Sequence, residues 1–439
     1  MKKERINALW LFVYGCAMIF LGVFVLVKGE VLMVPLAVFG GVFVIVNGVH
    51  RFIKGIMRES RTRLLSCSAN TLIGLFLLFA PLTSLALITV VFSLYLMLNA
   101  VIKLIDLIHS IKNGTEDFSA DFIALLFFLV FAILMLVGAS QPSGWLSAVI
   151  GVYCILYGVT ELKDFMREIL PRRAKNILRR SIRFSLPLAI STFSPLAVLK
   201  TYSKRLNSRE IDVEALLREE KAFDDDKRAN IHVLIHVSLD GVGMVGHCDI
   251  VYKNKVISYG NYDASSERLF GAVGDGVMFI AEPDKYISYS IENDKQMVID
   301  FGLLLSDKQI RRVRREMARI KKTTYRWRCP FEKAVYEGRK AQLSDFSDYC
   351  SKLWHGTKAR FYKFSSGKWK SYFVMSTNCV LLADSILSKA GTDIINTAGI
   401  ISPGAYYDYL QKEYTLKNGI VVSRDVYGYL AKGVAKHPK

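Results

Sequence analysis

The sequence lacks the paired CxxC motifs of a zinc knuckle, and its seven cysteines are odd in number and scattered along 439 residues. A zinc site or a disulfide framework is therefore not expected. The glycine-rich segment 271–276 lacks the Lys-Ser/Thr that ends a phosphate-binding loop, so we interpret it as a turn. No metal and no cofactor is predicted, and the part of the chain outside the membrane fits a reducing compartment.

Charged residues are missing from the middle of the long apolar runs in residues 1–166. Apolar runs of about 20 residues are the length that crosses a bilayer, and we predict six spans. These predicted spans are 8–27, 31–53, 65–81, 84–106, 120–139 and 143–163. Ion pathways and proton relays depend on charged residues inside spans, so transport is weakly supported. The basic start lacks a following small-residue cleavage site, which argues against a signal peptide.

The six spans are arranged as three hairpins whose second arms end in related phrases, at 47–52, 99–104 and 157–162. A period of about 52 to 58 residues predicts a threefold hairpin repeat. Glycines in these arms allow helices to approach closely in lipid. The pattern resembles the HdeD-like family of small six-helix bacterial membrane proteins over residues 8–166. That resemblance implies an inner-membrane location and specifies no chemistry.

Positive charge is distributed unevenly over the predicted loops. Lysines and arginines gather at the N-terminus and after every second span, whereas the turns near Gly29, Pro81 and Pro142 carry almost none. This bias predicts that both termini are cytoplasmic. The net charge of +19 is concentrated in those inner loops and in the segment 306–322, without interleaved aromatic residues. We therefore expect anionic lipid head groups rather than nucleic acid as partners; the pattern predicts no oligomeric state.

A strongly basic connector is predicted at 167–230. Its first part follows the last span directly and has the composition that binds anionic head groups. The apolar segment 185–199 is interrupted by Pro187 and Pro195, so we interpret it as interfacial rather than as a seventh span. The charged segment 209–227 is predicted to be a solvated linker.

Two phrases in the remaining residues carry candidate chemistry. Asn378-Cys379 opens an apolar-faced predicted helix, where the positive end of the helix dipole favours the thiolate form of a cysteine. Gly246-His247 begins a predicted strand, which turns back at 253–255 into a second strand. Antiparallel pairing brings His247 close to 259–261, where a polar group would orient the imidazole as a general base.

The order of these phrases, histidine first and cysteine last, resembles the circularly permuted branch of the NlpC-type papain-like superfamily. That branch includes the lecithin retinol acyltransferase-like proteins and the YaeF-like bacterial proteins, and the resemblance covers 231–415. It implies a papain-like α+β fold in which Cys379 is the nucleophile and His247 is the general base. It also implies an orienting residue on the strand after His247.

The chain offers Tyr259, Asn261 and Asp263 for the orienting position. We select Asn261, because an amide oxygen can accept the imidazole N–H as it does in Cys-His-Asn proteases. Tyr259 is the alternative, since its position on the paired strand is almost equally suitable.

The predicted architecture is a six-span membrane α-helical bundle at 1–166, a connector at 167–230, and a permuted papain-like α+β domain at 231–439. The predicted function is that of a membrane-anchored cytoplasmic thiol hydrolase or acyltransferase acting on an acyl ester or amide. A bilayer anchor favours lipid-derived substrates. The alternatives are a peptide or isopeptide amidase, an inactive ligand-binding or sensing domain, and a transporter accessory.

Overall fold

The computed structural model describes residues 2–56, 61–115, 118–140, 142–169, 229–237, 246–390, 403–415, 420–427, 429–430 and 433–434. The chain forms two compact units, one comprising Met1–Ile105 with Ser119–Met166 and the other Asp106–Phe118 with Arg167–Lys439. The predicted interfacial segment 185–199 and the predicted linker 209–227 lie outside the described residues.

The N-terminal half is helical and apolar. Its helices are α1 Lys2–Ile56, α2 Arg61–Phe79, α3 Pro81–Asn113, α4 Phe118–Val137 and α5 Pro142–Ile169. Four described segments are long and apolar enough to cross a membrane: Leu9–Gly29, Val31–Val49, Pro81–Asn113 and Phe118–Val137. Many large apolar side chains on these helices are exposed, including Phe20, Phe39 and Val137 at more than 70%. Such surfaces are expected to face lipid, so this half is of membrane type.

Helix α1 runs without interruption through Gly29, where the sequence predicts the turn of the first hairpin. The glycine serves a different purpose, because a Cβ atom at this position would lie 2.0 Å from Cβ of Ser147 on α5. Gly29 therefore permits close helix packing rather than a chain reversal. The predicted break between the third and fourth spans does occur, because α2 ends at Phe79 and α3 begins at Pro81, a residue favoured in the first helical turn.

The C-terminal half is built on an eight-stranded antiparallel sheet. Its strands are β1 Ile231–Val237, β2 His247–Val251, β3 Val256–Gly260, β5 Val277–Ala281, β6 Met297–Leu303, β7 Thr324–Trp327, β8 Arg360–Phe364 and β10 Val421–Tyr427. Their order in the sheet is β10-β6-β1-β2-β3-β5-β8-β7. Two small ribbons pair β4 Val273–Asp275 with β9 Ser371–Phe373, and β11 Tyr429–Leu430 with β12 Gly433–Val434.

Helices cover the sheet and complete two apolar clusters. They are α6 Pro283–Glu292, α7 Asp307–Lys322, α8 Pro330–Tyr336, α9 Tyr349–Thr357, α10 Cys379–Ser388 and α11 Pro403–Thr415. One cluster joins Ile235 and Ile250 to residues of α7, α10 and α11, whereas the other joins Leu234 to residues of α6 and α9. Adjacent strand residues enter different clusters because successive side chains point to opposite faces.

The predicted hairpin is confirmed, because β2 and β3 pair and the backbone of Tyr252 and Lys255 exchanges hydrogen bonds across the turn. The sequence also predicts an amphipathic basic helix over 306–322, which is confirmed as α7 and begins with a capping box of Ser306 and Gln309. The sequence also predicts a strand at 285–290, and that prediction is wrong. Pro283 starts helix α6 there, and burial of Tyr286 and Ser290, one turn apart, follows a helical period.

Candidate thiol site

Cys379 is the first residue of α10 and is buried. The preceding residue caps this helix, because the Asn378 side chain accepts the backbone N–H of Leu381 at 3.0 Å. The Asn378 amide also donates to the carbonyl of Val374 at 3.0 Å, which ties the approaching loop to the cap. The thiol therefore lies among the unpaired N–H groups and the positive dipole of a helix N-terminus.

His247 is the first residue of β2 and is reached through Gly246. Gly246 has φ +83°, and a Cβ atom there would lie 2.9 Å from the carbonyl oxygen of His236. A residue without a side chain is needed for both reasons. This tight entry places the imidazole at the end of the strand, with His236 of β1 directly opposite in the ladder.

The Cys379 side chain lies beside the imidazole of His247, close enough for its sulfur to raise the pKa of that ring. The Nε2 atom of that ring faces other groups, because Oδ1 of Asp249 and Oγ of Ser258 each lie 2.9 Å away and the Tyr262 hydroxyl lies 3.2 Å away. Nδ1 is consequently the ring nitrogen that does not face this polar cluster. The imidazole thus bridges a cysteine and a polar cluster, as a general base in a thiol site must.

Strand geometry explains how the polar cluster forms around Nε2. His247 and Asp249 are two residues apart on β2 and point to the same face of the sheet. Ile250 pairs with Ile257, so continuing the ladder by one residue sets Asp249 opposite Ser258 on β3. The Ser258 and Tyr262 hydroxyls lie 2.8 Å apart and close the cluster.

Asp249 is almost completely buried and lies between two imidazoles. Its Oδ1 is 2.9 Å from Nε2 of His247, and its Oδ2 is 2.9 Å from Nε2 of His236. Neither contact is a hydrogen bond by geometry, so we describe both as close histidine–carboxylate contacts. The Tyr286 hydroxyl donates a hydrogen bond to Oδ2 at 2.9 Å. Burial by itself raises the pKa of Asp249, but the two imidazoles lower it below its ordinary value.

The charge state of His247 follows from the same contacts. Burial lowers the pKa of His247, but the Asp249 carboxylate and the Cys379 sulfur raise it, and the net result is well above its ordinary value. The ring is therefore held as an imidazolium over a wider pH range than a free histidine. An imidazolium next to a thiol is the arrangement that stabilises a thiolate.

The structure brings Cys379 and His247 together but places the two predicted orienting residues elsewhere. The Asn261 amide donates to the carbonyl of Gly271 at 3.3 Å. The Tyr259 hydroxyl donates to the carbonyls of Trp369 and Ser371 at 3.1 and 3.2 Å. Both side chains thus hold neighbouring loops, and the position that the sequence analysis assigned to Asn261 is taken by other groups.

Asp249 is the residue that sequence reasoning missed. The prediction looked for an orienting group across the hairpin, although an acid two residues after His247 on the same strand shares its face. The two-residue spacing between His247 and Asp249 was the signal in the sequence that could have identified Asp249. The burial of Asp249 and its second contact with His236 depend on the pairing of β1 with β2.

Three other cysteines of this half have a different environment. Burial raises the pKa of Cys248 well above its ordinary value, and burial is also the main cause of the raised pKa of Cys350. Burial raises the pKa of Cys329 to about 11. These thiols stay protonated at neutral pH, and protonated thiols are poor nucleophiles. Within the described residues, no group of three or more His, Cys, Asp and Glu side chains is arranged to hold a metal ion.

Comparison with known proteins bears on the N-terminal half. Residues 65–137 match the family described as a short repeat of unknown function (DUF308), which is the HdeD-like membrane family. The match covers most of α2 together with α3 and α4, so the predicted resemblance to that family is shown for this segment. Neither the curated proteins nor the solved structures gave a match to the chain.

Proposed function

We propose that the sheet domain is a cysteine hydrolase or acyltransferase of the papain-like type, with His247 preceding Cys379 as in the circularly permuted branch. One arrangement of side chains carries this proposal. A cysteine at a helix N-terminus lies beside a histidine whose Nε2 atom faces a buried carboxylate. Packing of the cysteine-bearing helix α10 near the histidine-bearing strand β2 also supports a papain-like domain.

The chemistry assigned to this arrangement is acyl transfer through a thioester. The Cys379 thiolate adds to the carbonyl carbon of an ester or amide, and the tetrahedral intermediate expels the alcohol or amine, which takes a proton from the His247 imidazolium. Neutral His247 then removes a proton from water or an acceptor alcohol, which attacks the thioester and releases the thiol. Asp249 keeps the imidazole oriented and stabilises its charged form.

Negative charge develops on the carbonyl oxygen during both steps and requires hydrogen-bond donors. The backbone N–H of Cys379 is the first of the N–H groups that a helix leaves without an intrahelical acceptor. Donors at such a position are fixed before the reaction begins, so they stabilise the oxyanion without reorganisation. We assign the Cys379 N–H as one donor of the oxyanion site.

We infer that the protein is a multi-pass protein of the bacterial inner membrane with both termini in the cytoplasm. The apolar helices, the DUF308 match and the excess of lysine and arginine on one set of loops support this inference. Six crossings would require a chain reversal near Gly29, which is helical in α1. Reporter fusions at residue 29 and after residue 166 distinguish a first hairpin from one long helix.

The catalytic proposal is tested by acyl-enzyme formation on the full-length protein in lipid nanodiscs. A panel of p-nitrophenyl esters with short and long acyl chains is added, and the modified residue is located by mass spectrometry. We expect one acyl group on Cys379 and none in Cys379→Ala. Cys248→Ala is the matched control, because it removes a neighbouring buried thiol in the same core cluster and should leave acylation intact.

Two results would contradict the proposal. One is equal acylation of several cysteines, since it would mean that the arrangement around Cys379 has no chemical consequence. The other is the absence of any adduct from the esters and from amide and peptide probes, which would favour a ligand-binding domain. Preference for long acyl chains over peptide amides would support lipid-derived substrates, and the opposite preference would identify an amidase.

A further inference from the structure

The outward surface of α7 carries an unusual density of positive charge. Eight of its residues are lysine or arginine and all eight are exposed, whereas its two acidic residues are Asp307 and the buried Glu316. The basic residues are Lys308, Arg311, Arg312, Arg314, Arg315, Arg319, Lys321 and Lys322. We call this set the α7 basic face.

The opposite side of α7 is firmly seated in the domain. Val313 and Ile320 are buried in the same apolar cluster as Cys379. The Gln309 side chain donates a hydrogen bond to the carbonyl of Ala390, just beyond α10, at 2.7 Å. Because its inner side is held in this way, α7 presents its charges in a defined direction and packs against the helix that bears the candidate nucleophile.

Five of the cations form a row along the outermost line of the helix. Lys308, Arg311, Arg315, Arg319 and Lys322 follow one another at steps of three and four residues, the spacing of neighbours on a helix surface. The row is about 21 Å long at the rise of an α-helix. Arg319 is paired with Glu316, but the like charges of Arg311 and Arg315 stand one turn apart and repel each other.

Such a row is better suited to a flat polyanionic surface than to water. An anionic surface relieves the repulsion between neighbouring cations, and each lysine or arginine near it strengthens binding about fivefold. The helix contains no aromatic residue, whereas proteins that bind single-stranded nucleic acid interleave aromatic side chains for base stacking. Because the chain's own apolar helices are of membrane type, a lipid surface is always available to it.

We propose that the α7 basic face is a docking surface for the anionic lipid head groups of the bilayer in which the chain resides. The interaction is electrostatic and reversible, and it requires no residue of the candidate thiol site. Its consequence is that the helix next to α10 is held at the lipid surface.

The test measures lysine accessibility in the full-length protein. The protein is reconstituted in nanodiscs of phosphatidylcholine alone or of phosphatidylcholine with phosphatidylglycerol, and treated with an N-hydroxysuccinimide ester. Modification of Lys308, Lys321 and Lys322 is quantified by mass spectrometry. We expect it to fall by about fivefold or more with phosphatidylglycerol and to recover at high salt, where surface charges are screened. The exposed Lys340 and Lys352 serve as internal references.

A double variant makes the test specific. Arg311→Gln with Arg315→Gln removes two exposed charges from the row and should abolish most of the protection of the α7 lysines. Lys340→Gln with Lys352→Gln removes the same net charge elsewhere and should leave that protection unchanged. Thermal unfolding verifies that both double variants are folded.

Three outcomes would overturn the proposal. The first is equal modification of the α7 lysines in both kinds of nanodisc. The second is protection that persists in Arg311→Gln with Arg315→Gln. The third is protection by an added single-stranded oligonucleotide in phosphatidylcholine nanodiscs without any protection by phosphatidylglycerol, which would make the face a nucleic-acid surface.

Discussion

The two ends of strand β1 each contribute a histidine to a histidine–carboxylate group, and the two groups differ in almost everything else. At one end, His236 and His247 flank the buried Asp249, and His247 lies beside Cys379. At the other end, Nδ1 of His232 lies 3.0 Å from Oδ1 of Asp300. The side chain of His232 is 36% exposed, whereas that of His236 is 1% exposed.

An imidazole next to a carboxylate is therefore not by itself a candidate catalytic site. A hydrogen bond to Asp300 raises the pKa of His232 against the effect of its partial burial, but water competes for a pair this exposed. Asp249 itself is shielded from water, so its charge acts strongly on the His247 imidazole, although that side chain is 22% exposed. Burial and the neighbouring cysteine separate the two groups.

The largest effect on the acylation rate is expected for His247, the histidine beside the Cys379 thiol. In His247→Gln the acylation rate of Cys379 should fall about 10²–10⁴-fold, because the imidazolium that stabilises the thiolate and protonates the leaving group is lost. The rate is measured by single-turnover mass spectrometry with the preferred ester. The matched change at the other end of the strand, His232→Gln, should leave the rate unaltered, and an equal loss in both variants would refute the distinction.

Asp249→Asn should have the next largest effect. We expect slower acylation, because the imidazole loses the carboxylate that orients it. The carboxylate raises the pKa of His247, so its removal lowers that pKa. The decline of activity on the alkaline side should therefore begin at a lower pH in the variant. Measurement of the acylation rate across pH checks the shift.

Asp249→Asn also tests how much the buried carboxylate contributes to the free energy of unfolding. Loss of one partner from a buried charged group typically reduces the free energy of unfolding by about 3–5 kcal/mol. Asp300→Asn removes the carboxylate of the more exposed pair and should cost less in denaturant unfolding. If Asp300→Asn shifted the alkaline limb as Asp249→Asn does, the assignment of Asp249 as the positioning residue would be wrong.

Tyr259→Phe should lower stability with little change in acylation. The Tyr259 hydroxyl is a donor to two backbone carbonyls in the core, and loss of such hydrogen bonds costs about 0.5–1.5 kcal/mol. Asn261→Ala should likewise leave the pH profile of acylation intact. A change in that profile in either variant would restore the orienting role that the sequence analysis gave to these residues.

The smallest effect is expected at the exposed pair. The folded-state pKa of His232 is raised above 6.5, so its pairing with Asp300 adds stability that is fully present below pH 6.5 and is lost as pH rises through the folded pKa. His232→Gln should cost roughly 0.2–1 kcal/mol at low pH and less at high pH. Denaturant unfolding at several pH values measures this, and a cost that grows with pH would have the wrong sign.

The sequence alone determined those features whose signal is local. Long apolar runs without charge predict membrane helices, and the DUF308 match and the described apolar helices agree. An Asn-Cys phrase before an apolar run predicts a cysteine at a helix start. Two short strand-like segments separated by a turn at Lys253 and Asn254 predict a hairpin. Each of these depends only on neighbours along the chain.

Tertiary structure decided which side chains surround the imidazole and how the first helix packs. Asp249 shares a strand with His247, but its contact with His236 requires the register of β1 on β2, and Ser258 requires the register of β3. Gly29 lies where the sequence predicts a turn, yet it is helical in α1 and allows close approach to Ser147 of α5. Such contacts join residues far apart in the chain, and neither spacing nor propensity encodes the pairing that brings them together.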